Sequence, residues 1–273
     1  MTAPVLTLND GKTMPQIGFG LWQVPAGQTA RVVTEGLAAG YRMIDGAAIY
    51  GNEEGLGEGL RQTGVPRGDI FVQTKVWNSE QGYDAALRAA EASLKRLRQD
   101  YVDCLLIHWP CPQKGLYVET WKALIRLRDE GRALSIGVSN FLPDHLERIV
   151  DETGVVPVLN QIELHPRLVQ ARLREVHARM GIVTQSWTPL GQGRSFDAPA
   201  VQAAAARTGR SPAQVILRWH LQLGCAVIPR STRAEGLTEN LRLADFSLTE
   251  EEMAAITALD AGERTGPDPL SFS

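Results

Sequence analysis

Short apolar runs rich in Val, Ile and Leu alternate along the whole chain with longer stretches whose apolar residues recur at three- and four-residue steps. The short runs are Gln16–Phe19, Tyr41–Ile44, Ile70–Thr74, Tyr101–Ile107, Leu134–Val138, Val158–Ile162, Ile182–Ser186 and Ala226–Ile228, eight in number. They are apolar on consecutive residues rather than alternate ones, which predicts strands buried on both faces. Between them, a stretch starting at Ser79 places Leu87, Ala90, Leu94 and Leu97 on one helical stripe, and Leu116–Arg128 reads as another helix. Pro143 marks a helix start, as does Ser211-Pro212, where a capping hydroxyl precedes a first-turn proline. Gly40 and Gly181 fall just past helical stretches, where a left-handed residue ends a helix.

Eight strand–helix repeats predict an α/β fold, a parallel sheet covered by helices and closed into a (β/α)8 TIM barrel. The rival is an open doubly wound sheet, which carries a GxGxxG turn after its first strand. Here the first run is followed by GFGLWQVPAG, without that turn. Before the repeats, Asn9-Asp10-Gly11 sits between two short extended pieces and predicts an N-terminal β-hairpin closing one end of the barrel. After Leu259 the tail DAGERTGPDPLSFS is rich in Gly and Pro and reads as irregular. No linker of disordered composition interrupts the chain, so residues 1–273 are expected to form one domain.

The polar residues at the carboxyl ends of these runs are informative, because in a β/α barrel those ends meet at one mouth. The second run leads to Asp45, the third to Lys75 and the fourth to His108. The fifth leads to Ser139-Asn140, the sixth contains Asn160-Gln161, the seventh leads to Trp187 and the eighth to Arg230-Ser231. Any one of them has an ordinary explanation, since strand ends lie near solvent. The whole series suits acid–base work and nucleotide binding. Tyr50, five residues beyond Asp45, is placed to fold back over the mouth. A neighbouring Lys75 ammonium is expected to favour the phenolate and lower the tyrosine's pKa, making it a better proton donor near neutrality. Asp45 would pair with Lys75 and keep it charged, and His108 would donate to a substrate oxygen.

Composition narrows the partners. Apolar residues make up 44% of the 273, enough for a large core, and 28 basic against 31 acidic residues leave a net charge of −3. That balance argues against nucleic acid or an anionic membrane as the main partner. Cys104, Cys111 and Cys225 are odd in number and lack metal-ligand spacing, which fits a reduced, cytoplasmic protein without metal. The N-terminus MTAPVLTLNDGKTMPQIG does not read as a signal peptide, and no apolar run is long enough for a membrane span.

Taken in order, GFGLWQVP, YRMIDGAAIYGNEEGLG, TKVW, YVDCLLIHWP, SIGVSNF, LNQIELHP, QSWTPL and IPRST with the later Glu239-Asn240 resemble the successive signatures of the aldo-keto reductases. The bacterial members akin to 2,5-diketogluconate reductases are the most similar. The resemblance runs from about Leu6 to the end of the chain. It implies a barrel that holds NADPH across its mouth and reduces carbonyl compounds to alcohols without metal; a monomer is expected. By motif, it implies Tyr50 as proton donor, Lys75 and Asp45 as its activating pair, and His108 as the residue orienting substrate. Ser139, Asn140 and Gln161 match positions that bind the nicotinamide carboxamide, and Trp187 the aromatic that stacks on the ring. Thr188, Pro189, Leu190 and Gln192 match the loop around the pyrophosphate. Arg230, Ser231, Thr232 and Arg233 match the segment for the 2′-phosphate, with Glu239 and Asn240 near the adenine. Trp22, Trp77 and Trp109, with His108, match positions lining the substrate pocket.

Departures from the family pattern accompany this. Arg230 replaces the usual Lys, keeping the charge in a fork suited to phosphate. Gly236 stands where the family carries an Arg, so NADPH is expected to be preferred by a narrower margin, with NADH accepted. Gly46 replaces the usual Thr beside Asp45. The short tail after Pro267 predicts an open pocket tolerant of small aldehydes, α-keto and diketo compounds and sugar-derived ketones. The alternatives are a non-catalytic NADPH-binding regulatory protein and a Schiff-base aldolase using Lys75, the latter disfavoured by the adjacent carboxylate.

Overall fold

The computed structural model describes residues 4–273, so Met1–Ala3 of the N-terminal stretch read above lie outside the described residues. The eight apolar runs form eight parallel strands in sequence order: β3 (Phe19–Gly20), β4 (Met43–Asp45), β5 (Phe71–Val76), β6 (Val102–Ile107), β7 (Ala133–Ser139), β8 (Leu159–Glu163), β9 (Val183–Trp187) and β10 (Ala226–Val227). The sheet closes on itself. Ile17 bridges Val227 in parallel, the Gly18 N–H donates to the Val227 carbonyl at 2.9 Å, and the Val227 N–H donates to that of Gln16 at 2.9 Å. Closure leaves no open edge in the sheet.

The helices that cover it are α1 (Ala26–Ala39), α2 (Glu53–Gln62), α3 (Tyr83–Leu97), α4 (Tyr117–Asp129), α5 (Pro143–Thr153), α6 (Ala171–Met180), α7 (Pro199–Thr208), α8 (Pro212–Gln222), α9 (Ala234–Leu241) and α10 (Glu250–Thr257). Their punctuation follows local chemistry. The Ser211 hydroxyl accepts the Gln214 N–H while the Gln214 side chain accepts the Ser211 N–H, closing a capping box ahead of Pro212. Gly40 ends α1 with φ 112°, a conformation closed to residues with a Cβ. One boundary differs from the sequence expectation: α3 starts at Tyr83, because Asn78–Glu80 form a separate single turn.

Two layers fill the barrel. Period-two alternation sends Phe71, Gln73 and Lys75 of β5 inward, while Val72 packs with the helices and Thr74 donates outward to Glu53 on α2. The lower layer is apolar, with Met43, Phe71, Cys104, Leu106 and Leu159 packed together. The expected hairpin, β1 (Val5–Thr7) paired with β2 (Thr13–Pro15), stops that end. Leu8 and Met14 enter the apolar layer, the Ser135 hydroxyl donates to Asp10 at 2.7 Å, and the Asn9 amide donates to the Pro157 carbonyl at 2.9 Å. The upper layer is polar.

Candidate active site

The upper layer is organised around one carboxylate oxygen. Asp45 Oδ1 accepts from Lys75 Nζ at 2.6 Å, Gln73 Nε2 at 2.6 Å and Gln161 Nε2 at 2.9 Å. Gln73 and Gln161 also both donate to Gln185 Oε1, at 2.8 and 2.7 Å, so three glutamines from separate strands brace the ion pair. The Lys75 and Asp45 side chains are 0% and 3% exposed. Breaking such a buried pair from one side typically costs about 3–5 kcal/mol, because it strands a charge. Lys75 Nζ donates further to the Gly46 carbonyl at 2.8 Å and to Tyr50 Oη at 3.4 Å. Gly46 is not demanded by packing: a Cβ there would meet Leu56 at 3.4 Å and the Gln73 carbonyl at 3.6 Å, ordinary contacts.

Tyr50 ends a single helical turn, Ala48–Tyr50, that returns the chain over the mouth after β4. Its ring lies 5.1 Å from that of Trp22 and 5.8 Å from that of His108, and His108 in turn is 5.0 Å from Trp77. The electrostatics correct one expectation. Tyr50 is not acidified: burial, and then the Asp45 carboxylate, push the phenol well above its ordinary value. Burial also pulls Lys75 down, and pairing with Asp45 opposes this without overcoming it. The physical reason is that burial and the Asp45 charge both disfavour the phenolate. Burial, followed by the Lys75 charge, holds His108 well below 6.5, so its ring is neutral. His108 Nδ1 is buried without a partner among the described residues.

Around this centre, Ser139 Oγ donates to the Gln161 carbonyl at 2.8 Å, and Asn140, at φ 63°, donates its amide to the His108 carbonyl at 3.0 Å. Trp187 Nε1 donates to Asn140 Oδ1 at 2.8 Å, and its half-buried ring closes one side of the mouth. Both amide hydrogens of Gln161 serve Asp45 and Gln185, and its Oε1 accepts nothing from the described residues. Thr188, Pro189, Leu190 and Gln192 form the next loop, with Thr188 and Gln192 at φ 49° and 56°. Non-glycine residues at positive φ persist where the surroundings hold them. Here His220 Nε2 bonds the Pro189 carbonyl at 2.9 Å, and Gly191 rests on the His165 ring so closely that a Cβ would meet it at 3.1 Å.

Arg230, Ser231, Thr232 and Arg233 run from β10 into α9. Arg230 and Arg233 are exposed and form no ion pair among the described residues. Gly236 is occupied space: a Cβ would stand 2.5 Å from Ser231 Oγ, which caps this turn by accepting the Arg233 N–H at 3.2 Å. Glu239 accepts from the Ser211 hydroxyl at 2.6 Å, and Asn240 beside it is buried.

Trp22 is exposed, Trp77 half-buried and Trp109 buried. The tail is less remote than its length suggested, since the Phe272 ring packs 4.7 Å from Trp109 and 6.2 Å from Trp77. Sequence reading also passed over Gln73, Gln185, Glu163 and His165. Gln73 and Gln185 stand as polar residues inside apolar runs, with partners on strands far apart in sequence, while Glu163 bonds its near neighbour His165 and the C-terminal Thr265 and Gly266.

The family model described as Aldo/keto reductase family matches residues 16–261. An aldo-keto reductase of Mycobacterium sp. (strain KMS) is 52% identical over 273 residues, covering 100% of this chain and 99% of that protein. Methylglyoxal reductase DkgA of Yersinia pestis is 46% identical over 271 residues, covering 98% and 97%. A crystal structure of a Gox0644 mutant in complex with NADPH superposes with a TM-score of 0.96 at 50% identity, covering 100% of both chains. A Bombyx mori aldo-keto reductase in complex with NADP superposes with a TM-score of 0.91 at 35% identity, covering 97% of this chain and 95% of the other. The chain therefore belongs to the aldo/keto reductase family of NAD(P)H-dependent oxidoreductases.

Proposed function

We propose that this protein reduces small aldehydes and ketones, α-keto and diketo compounds among them, with NADPH, and that Tyr50 supplies the proton. The observation that carries the reading is the contact of Tyr50 Oη with Lys75 Nζ at 3.4 Å, above the buried Lys75–Asp45 pair and beside a neutral His108. A phenol pushed up in pKa stays protonated through neutral pH, the form a proton donor needs. As the phenol gives up its proton to the carbonyl oxygen, Lys75 stabilises the charge left on Tyr50, and Asp45 with its glutamines keeps Lys75 in place. His108 donates one hydrogen bond to the carbonyl oxygen and aligns it with Tyr50.

The residues around the mouth fit a nicotinamide dinucleotide. Gln161 Oε1 has no other bond partner among the described residues, the Trp187 ring offers a flat face, and two exposed arginines await phosphate. When bound, NADPH would supply the hydride that reduces the carbonyl carbon. Trp187 would stack on the nicotinamide; Ser139, Asn140 and Gln161 would hold its carboxamide; Thr188, Pro189, Leu190 and Gln192 would line the pyrophosphate. Arg230, Ser231, Thr232 and Arg233 would take the 2′-phosphate, with Glu239 and Asn240 near the adenine. With no cation at Gly236, NADPH selection would rest on the exposed Arg230 and Arg233. Trp22, Trp77 and Trp109 would wall the substrate. The lowered pKa of Lys75 would suit a Schiff-base nucleophile, but its nitrogen is spent on Asp45 and Gly46.

The test is loss of nicotinamide absorbance with NADPH or NADH over a carbonyl panel. The unaltered protein should turn over several small aldehydes with a higher kcat/KM for NADPH. Tyr50→Phe should lower kcat by about 10²–10⁴-fold with cofactor affinity nearly unchanged. No turnover with any carbonyl, or equal activity in Tyr50→Phe, would overturn the reading.

A further inference from the structure

Glu163 ends β8 in register with Trp187 at the end of β9, and its side chain is 0% exposed. It touches none of the groups proposed for chemistry, yet both its oxygens are in use. Oε1 accepts the Thr265 N–H at 2.5 Å, the Thr265 hydroxyl at 2.6 Å and His165 Nε2 at 3.0 Å; Oε2 accepts the Gly266 N–H at 3.2 Å. Burial favours the neutral acid, but the bonds from His165, Thr265 and Gly266 together hold the carboxyl below its ordinary range. A carboxylate bonded this way is a strong clamp. What it clamps is the C-terminal segment.

That segment crosses the mouth as a strap. The Ala261 and Glu263 N–H groups donate to the Arg167 carbonyl, both at 3.1 Å, before the strap reaches Glu163. Next, Gly266 lies against Trp187, where a Cβ would stand 2.5 Å from Cη2. The indole is thus held at two ends, by Gly266 at its six-membered ring and by Asn140 at its N–H. Beyond, Gln113 Nε2 donates to the Leu270 carbonyl at 2.6 Å, and Phe272 reaches Trp109 and Trp77.

We propose that Glu163 is a positioning residue that latches the C-terminal strap, and through it sets the plane of Trp187 and seats Phe272 as a wall of the substrate pocket. The inference rests on the carbonyl-reductase reading for its kinetic consequence. Because the latch acts through the strap and not on the reacting atoms, releasing it should weaken ligand binding and spare the chemical step.

Thr265→Val removes the hydroxyl donor without changing shape at a partly exposed position, and Glu163→Gln removes the charge. With methylglyoxal as the carbonyl probe, each should raise KM about tenfold, the change that ~1.4 kcal/mol of binding corresponds to, with kcat changed less than about threefold. Amide hydrogen exchange at Thr265–Phe272 should speed up about tenfold or more in the same variants. In a Phe272→Ala background, the KM increase from Thr265→Val should shrink below about twofold, as residues acting along one strap do not add. Unchanged KM, an equal loss in kcat, or full additivity with Phe272→Ala would overturn the proposal. If the unaltered protein reduces no carbonyl compound, the functional reading falls alone; the latch then stands on exchange, and protection in Thr265→Val and Glu163→Gln equal to that of the unaltered protein would overturn it.

Discussion

The two halves of the barrel interior are built from the same strands with the same alternation, yet they share almost no chemistry. Below, Met43, Phe71, Leu106 and Leu159 meet Leu8 and Met14 in an apolar plug. One or two inward positions higher, Asp45, Gln73, Lys75, Gln161 and Gln185 meet in a single hydrogen-bonded group. The lower half can stabilise the closed sheet by burial alone. The upper half can hold a charged pair out of water because β4, β5, β8 and β9 each contribute a donor or acceptor, so its stability and the chemistry proposed for it depend on the same atoms.

That contrast can be broken by substitution. The largest effect belongs above: Asp45→Ala should cost about 3–5 kcal/mol in urea unfolding by stranding the Lys75 ammonium, and should abolish carbonyl reduction as well. Leu106→Ala, below, should cost about 2–5 kcal/mol but leave kcat of the folded protein within about twofold. A comparable loss of kcat there would erase the division between layers.

Acid sharpens the comparison, because the imidazoles packed behind the upper layer are buried and neutral. Burial brings His177 down to about 4 and His220 to about 3, against an ordinary 6.5. The unfolded chain takes these protons below pH 6.5 while the native state refuses them. Stability is therefore full above pH 6.5 and falls as pH drops towards 4 and then 3. His177 alone accounts for roughly 3 kcal/mol over that range. Urea midpoints at pH 7.5 and 5 check the direction, and His177→Asn should flatten part of the slope. The smallest effect is expected at the cofactor's far end. Gly236→Ala must displace Ser231 from its turn and should weaken NADPH binding about threefold, measured by tryptophan fluorescence, with NADH binding less affected.

The strand ends were legible because a parallel barrel turns a repeat in sequence into a ring in space, so Asp45, Lys75 and His108 could be assigned to one mouth from periodicity. Gln73 and Gln185 were not, since their bond partners are set by which strands face each other across the closed sheet. The sign of the Tyr50 shift escaped for a related reason: sequence shows that a lysine is near but not how much water is left. The strap escaped because DAGERTGPDPLSFS has no period, and its path is set by partners elsewhere in the chain, among them Glu163, the Arg167 carbonyl and Gln113.

The hairpin at the lower end carries a kinetic consequence. With Leu8 and Met14 stoppering one end, the described residues leave the strand-end mouth as the way in. Under the proposed reading, cofactor and carbonyl would both have to reach Tyr50 through that mouth, so whichever sits deeper would have to enter first and leave last.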